Sequence, residues 1–402
     1  MKKKKLGFLC FLYAMLMLLG VVCLPACNSG GEPASTTAPD GDATTPPDTT
    51  PNDTTAPDTP AVRDDITSEY VVITDYVKPN TGEDLKDEIQ AVIDANPNRT
   101  IFFPDGEYVI RTPIRTSADP KKSVCLLLSN YAIIKAAKNW SSKHAMISLG
   151  ANDTEVNDIL TAGSYYSLIG GIIDGSGIAK GVDIEAGRET YINNVSMKNV
   201  TIGLHIKYGT NSGSSDADIV DVNIVGTGKK DSIGVLVEGH DNTFTNMRIG
   251  KVNKGVKVTG SANMFRNIHP LYFDSGFGDA YLDSVGFWDV NGNNWYDYCY
   301  SDQFATAFRL GKNAVSIFDN CQSFWYSPAG DYQVLFDAEG QFSSVVTNVR
   351  VDFKHTAKFK SVLVTDKDGG KGVISNLVMR RGAEVADTKY LDYLTGSPIL
   401  FG

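Results

Sequence analysis

Histidine and cysteine are scarce in this chain, 5 and 6 among 402 residues. No C-x-x-C pair and no His/Cys cluster occurs to suggest zinc, and no metal-ligating residues are singled out. Lys and Arg (37) are outnumbered by Asp and Glu (47), for a net charge of −10. That balance argues against nucleic acid as a partner. An anionic glycan stays open, because a local basic column can sit on an acidic protein. Helical periodicity is missing from the second half, so no amphipathic helix separates its apolar phrases.

In its place an asparagine recurs at near-regular steps. Asn194, Asn246, Asn267, Asn294, Asn320, Asn348 and Asn376 share a register, with Asp221 in one slot. A second phrase with strand alternation precedes most of them: GVDIE, GLHIK, GVLVE, GVKVT and AFRLG. Steps of this length signal stacked repeats, in which one coil cannot bury its apolar face alone. The L-x-x-L-x-L frame of leucine-rich repeats is absent. The pattern predicts an all-β chain, a right-handed parallel β-helix (a solenoid) with a short N-terminal capping helix. An Asn at one turn of every coil would bond its neighbours above and below. Cys125 and Cys321 are expected as free, buried thiols, and nothing in the pattern supports a Cys299–Cys321 bridge.

The capping helix is legible within 71–110, where Leu85, Ile89, Val92 and Ile93 form one apolar face. With TIFF and a Pro-Asp-Gly turn behind it, this stretch resembles the start of the pectate-lyase-like superfamily. Asp84, Ile89, Gln90, Ile93, Asp94, Pro104, Gly106 and Tyr108 carry the resemblance. The segment GGIIDGSG (170–177) looks like an early coil of polygalacturonases. Their paired aspartates do not follow, because Ser232 stands beside Asp231, and no Gly-His-Gly comes after. The resemblance therefore implies a fold and a polysaccharide partner, without a specific enzyme. Some relatives use calcium, which is the only cofactor it suggests. Asp274, Asp279, Asp289 and Asp297 show no spacing that dictates such a site.

The N-terminus reads MKKKK, an apolar run from Leu6 to Val22, then LPAC. It resembles a bacterial lipoprotein leader. The expected division is a signal peptide at 1–26, a lipidated Cys27 with a disordered Thr/Pro/Asp-rich linker at 27–62, and the β-helix at 63–402. The expected location is the bacterial cell surface, with the membrane touched only through the lipid.

Side chains alternate in and out along a strand. Carried from coil to coil, this gives one outward column of Asp183, His205, Leu236, Lys257, Tyr281, Arg309, Leu335 and Leu363. The next reads Glu185, Lys207, Glu238, Thr259, Asp283, Gly311, Asp337 and Thr365. Long turns at 226–233, 295–306 and 325–333 are expected over this face, the last two superposing Tyr300 on Tyr326. Two carboxyls flanking a bond suit glycoside hydrolysis, whereas a base with cations suits elimination beside a uronate. The candidates for chemistry are Glu238, Lys257, Tyr281 (as an acid), Asp283 and Arg309. His205, Lys207, Trp288, Trp295, Trp325 and Tyr326 are candidates for sugar binding. A second candidate face carries Arg248 and His269, in an outward column with Gln322 and Arg350. The expected function is polysaccharide binding and cleavage by a monomer. The alternatives are a non-catalytic glycan-binding or adhesive protein on the same scaffold, and a structural spike-like module, which would be a trimer.

Overall fold

The computed structural model describes residues 70–401, apart from 152–165, 210–211, 273–278, 327–332, 355–358, 366–370, 382–383 and 386–399. The expected leader, Cys27 and the linker lie outside the described residues, as does Asp274.

Each coil lays down three short strands. One joins a ten-stranded sheet running from Ile114–Ser117 to Phe359–Thr365. The other two belong to a 23-stranded sheet and, from the coil of Asn194 onward, flank a one-residue bend. Coils pair in parallel, as in the inward row Leu204, Val235, Val256, Phe287, Phe308, Phe336. The result is a right-handed parallel β-helix. Its core is stacked by coil: Phe244, Phe265, Tyr296 and Phe318 follow one another with centroids 4.7, 5.0 and 4.6 Å apart and interplanar angles of 10° or less. Among the described residues no helix is long and apolar enough to cross a membrane.

The recurring asparagines form the bend. Asn194, Asn246, Asn267, Asn320, Asn348 and Asn376 hold φ between 51° and 57°, and Asp221 holds 56°. Asn tolerates this left-handed conformation better than most residues. Asn267 Nδ2 donates to Asn246 Oδ1 (2.8 Å), and Asn376 Nδ2 to Asn348 Oδ1 (3.0 Å).

Asn294 is a correction. The bend of its coil falls on Tyr298 (φ 53°). Asn294 belongs to a second, buried ladder at the mouth of the pre-bend strands. Asn242 N–H donates to Asn263 Oδ1 (3.1 Å), Asn263 N–H to Asn294 Oδ1 (3.0 Å), and Asn294 N–H to Ser316 Oγ (3.0 Å). Each amide satisfies a buried backbone donor one coil away.

The helix Lys86–Ala95 covers the open edge of the ten-stranded sheet and buries Ile89, Val92 and Ile93. Gln90 acts as a substitute strand there. Its Nε2 donates to the Arg115 carbonyl (2.8 Å), and Arg115 N–H donates back to Oε1 (2.9 Å). Such cover keeps another chain from pairing with the edge.

Glycines near the start of the sheet strands explain the GV and GL phrases. A Cβ on Gly203 would stand 2.6 Å from both the Gly234 carbonyl oxygen and Ile224 Cγ2. The chain turns too tightly there for a side chain. Cys125, Cys299 and Cys321 are free thiols; the last two are buried, whereas Cys125, expected inside, is partly exposed.

Candidate functional site

The outward column of the ten-stranded sheet runs Arg115, Ser148, Asp183, His205, Leu236, Lys257, Trp288, Arg309, Asp337, Val364. The expected column holds through Lys257 and at Arg309. Trp288 fills the slot expected for Tyr281, and Asp337 that expected for Leu335. Leu335 and Leu363 are buried.

Tyr281 and Asp283 are therefore corrected. Their phrase has strand alternation but sits in an insertion before the strand Val285–Asp289. Tyr281 ends a short 3-10 turn and is buried, with Gln333 Nε2 donating to its hydroxyl (3.2 Å). Burial pushes its pKa up, which suits a core residue and not a surface acid. Asp283 is tied to Lys254 (3.0 Å) and shares no column with Glu238. The stretch 295–306 is not one long turn, since it holds the strands Trp295–Asp297 and Tyr300–Asp302. Tyr300 pairs with Gln322, not with Tyr326.

The charged end of the column is a compact cluster. Asp183 is 0% exposed and Glu185 3%. Lys207 Nζ bridges them, 2.7 Å from Asp183 Oδ2 and 2.6 Å from Glu185 Oε1. Burial works to lower the Lys207 pKa, but the two carboxylates outweigh it and hold the pKa above its usual value. Arg115 stands 3.8 Å from Glu185 Oε2, and His144 Nδ1 3.4 Å from Oε1. His144, Asp183 and Glu185 are grouped closely enough to grip a cation. The Lys207 ammonium already supplies that charge.

His205 links the buried cluster to solvent. Its Nδ1 is 3.7 Å from Asp183 Oδ1 and its Nε2 3.1 Å from Glu238 Oε2. The Glu238 side chain, 37% exposed, is the open end of this row. Burial works to raise the Glu238 pKa. His205, the Tyr208 N–H and Lys207 outweigh it and hold the carboxyl below its ordinary value. Glu238 is thus favoured in its ionised form.

Farther along, Lys257 Nζ lies 4.5 Å and Arg309 Cζ 5.7 Å from the Trp288 ring centroid. These are cation–π contacts from the coils on either side. Arg309 Nε also pairs with Asp337 (3.0 Å). Trp288 is partly buried and sets the two cations on either side of its ring.

Trp325 is a further correction. It is 0% exposed, and its Nε1 donates to the Phe304 carbonyl (2.6 Å), so it packs and cannot meet a sugar. Trp295 is 36% exposed but lies on another face, in a column with Met264, Ile317 and Val345. Tyr326 is half-exposed beyond the post-bend strand Gln322–Trp325, with Lys354 over its ring (5.6 Å). Phe273, Phe277 and Tyr332 lie outside the described residues.

The second candidate face is assembled as expected in register. Arg248 pairs with His269, and Tyr300, Gln322 and Arg350 continue that column. His269 stacks on Tyr300 (4.2 Å between centroids), with Nε2 3.6 Å from Asp302 Oδ2. The side chains that sequence reasoning did not single out are Arg115, His144, Asp183, Glu185 and Asp337. For Asp183 and Glu185 the signal was present, in the same two columns as the residues that were chosen.

No protein-family model matches the chain, and no curated protein matches it. Similar solved structures include the tailspike protein of E. coli bacteriophage HK620 in complex with pentasaccharide. It is 11% identical with a TM-score of 0.54, over 79% of this chain and 64% of that one. A double mutant of the same tailspike, also with pentasaccharide, gives 11% and 0.56, over 82% and 65%. The chain thus spans a little under two thirds of those tailspikes. PfbA, a surface adhesin of Streptococcus pneumoniae, is 12% identical with a TM-score of 0.40, over 78% of this chain and 89% of that one. At these identities the tailspikes share the β-helix fold with this chain, and the likeness reaches no further.

Proposed function

We propose that this chain is a surface-exposed polysaccharide-binding protein that cleaves its glycan on the outward face of the ten-stranded sheet. The observation that carries the reading is the row Asp183–His205–Glu238, open to solvent only at an ionised carboxylate, with the cations Lys257 and Arg309 farther along the same face. Solved tailspikes of the same fold, two of them with pentasaccharide bound, support a glycan as the partner. The leader-like N-terminus supports export and tethering at Cys27, with 27–62 as spacer.

The geometry favours elimination over hydrolysis. Hydrolysis needs two carboxyls facing one bond. Asp183 and Glu185 are buried under Lys207, and Asp283 is elsewhere, so Glu238 stands as a lone accessible carboxylate in the cluster. A base with neighbouring cations is what proton removal beside a uronate requires. In this reading His205 positions Glu238, and Lys207 holds the two buried carboxylates.

The test is the purified full chain against plant, host and bacterial polysaccharides, reading reducing ends and ultraviolet absorbance of unsaturated uronides together. Both signals rising supports elimination, and reducing ends alone would move the reading to hydrolysis. Silence in both, with a glycan still retarding the chain in an affinity gel, would leave the non-catalytic adhesive reading.

A further inference from the structure

We infer that the glycan carries one negative charge per two sugar units, and that Lys257 and Arg309 read this spacing; the inference rests on this face being the glycan-binding face. Five consecutive coils present a fixed sequence of charge. Glu238 gives the first coil a negative charge from the neighbouring outward column, beside Leu236; in the column itself Lys257 is positive, Trp288 uncharged, Arg309 positive and Asp337 negative. Coils repeat at ~4.8 Å, so the two positive coils are ~9.6 Å apart along the axis. One sugar of an extended polysaccharide is about as long as one coil rise. A chain lying along the axis therefore meets a cation at every second sugar.

The coils between and beside the cations reject a second anion. At Trp288 a carboxylate would lose water against the edge of an indole. At Glu238 it would meet a like charge, and at Asp337 a carboxylate that already holds Arg309 Nε. A homopolyuronate puts a carboxylate on all five coils, and three are unfavourable. A glycan with one uronate per disaccharide puts its anions on Lys257 and Arg309 and uncharged sugars on the other three. Lys257 has no ion pair among the described residues and Arg309 gives only its Nε to Asp337 (3.0 Å), whereas Lys207 and Lys254 are each held by carboxylates.

Affinity electrophoresis of the full chain tests this, with hyaluronan and unsulfated chondroitin as alternating probes, polygalacturonate as the homopolyuronate and dextran as the neutral glycan. An alternating probe is expected to bind at least tenfold tighter than polygalacturonate. Lys257→Gln is expected to lower that affinity about tenfold, with loss of much of its salt dependence. Trp288→Lys, which supplies a third cation, is expected to narrow the gap between probes. Polygalacturonate binding as tightly as both alternating probes would overturn the inference, as would a Lys257→Gln chain that keeps full affinity. Retention by dextran alone would overturn it and leave glycan binding standing. Retention by none of the four would count against both.

Discussion

His205 Nε2 stands 3.1 Å from Glu238 Oε2, on adjacent coils of the ten-stranded sheet. The imidazole helps to hold Glu238 ionised below the ordinary carboxylate range. Glu238→Gln is expected to cut glycan cleavage about 10²–10⁴-fold with folding intact. His205→Gln is expected to leave some activity but to move the acid limb of the pH profile upward, because a force lowering the Glu238 pKa is gone. A limb that stays in place would remove His205 from this role.

Gly203 and Gly250 make a matched pair. A Cβ on Gly203 meets the Gly234 carbonyl and Ile224, and one on Gly250 meets nothing within 4 Å. Gly203→Ala is expected to cost about 1–3 kcal/mol of stability. Gly250→Ala is expected to lie within about 0.5 kcal/mol of the parent. Urea midpoints at constant m-value measure both.

Tyr298 adopts the left-handed bend that Asn holds in neighbouring coils, and its ring is largely exposed. Tyr298→Asn is expected to stabilise by about 0.5–1 kcal/mol, since the short polar Asn side chain can hydrogen-bond locally in this conformation. Asn267→Ala is expected to destabilise more than Asn267→Gly. The order of urea midpoints decides.

Asp289 is buried among donors. Gly292 N–H reaches Oδ1 at 2.8 Å, Tyr296 OH reaches Oδ2 at 3.1 Å, and Ser316 and Asn294 complete the set. Burial still raises its pKa above the ordinary value. A raised folded-state value means the fold binds the proton more tightly than the unfolded chain does. Its contribution is therefore full below the ordinary carboxylate value and lost as pH rises through the raised one. Asp289→Asn is expected to flatten that part of the stability–pH curve, which chemical denaturation at stepped pH would show.

The fold was legible because a solenoid writes itself once per coil. Asn246 and Asn267, or Val235 and Val256, recur in register with their structural partners. Legibility failed where a coil carries an insertion. Tyr281-Leu282-Asp283 has strand alternation, and local sequence cannot tell it from the true strand a few residues on. Asn294 failed for another reason: two ladders use the same residue type, one for its tolerance of left-handed φ and one for its amide. Trp325 failed because sequence gives residue type, while exposure depends on what the next coil packs against it. The His205–Glu238 contact joins two neighbouring columns across coils of unequal length. Residue spacing alone did not reveal it.

The one-residue bend has a consequence for how such a chain changes over time. The bends from Asn194 to Asn376 fall after 27, 25, 21, 31, 22, 28 and 28 residues, yet each bend is a single residue. All variation in length is routed to the two corners that flank the charged sheet. The bend thus acts as a metronome, fixing the phase of the scaffold however long the intervening phrase becomes. A lineage can lengthen or trim the loops around the charged sheet without one core residue losing its place.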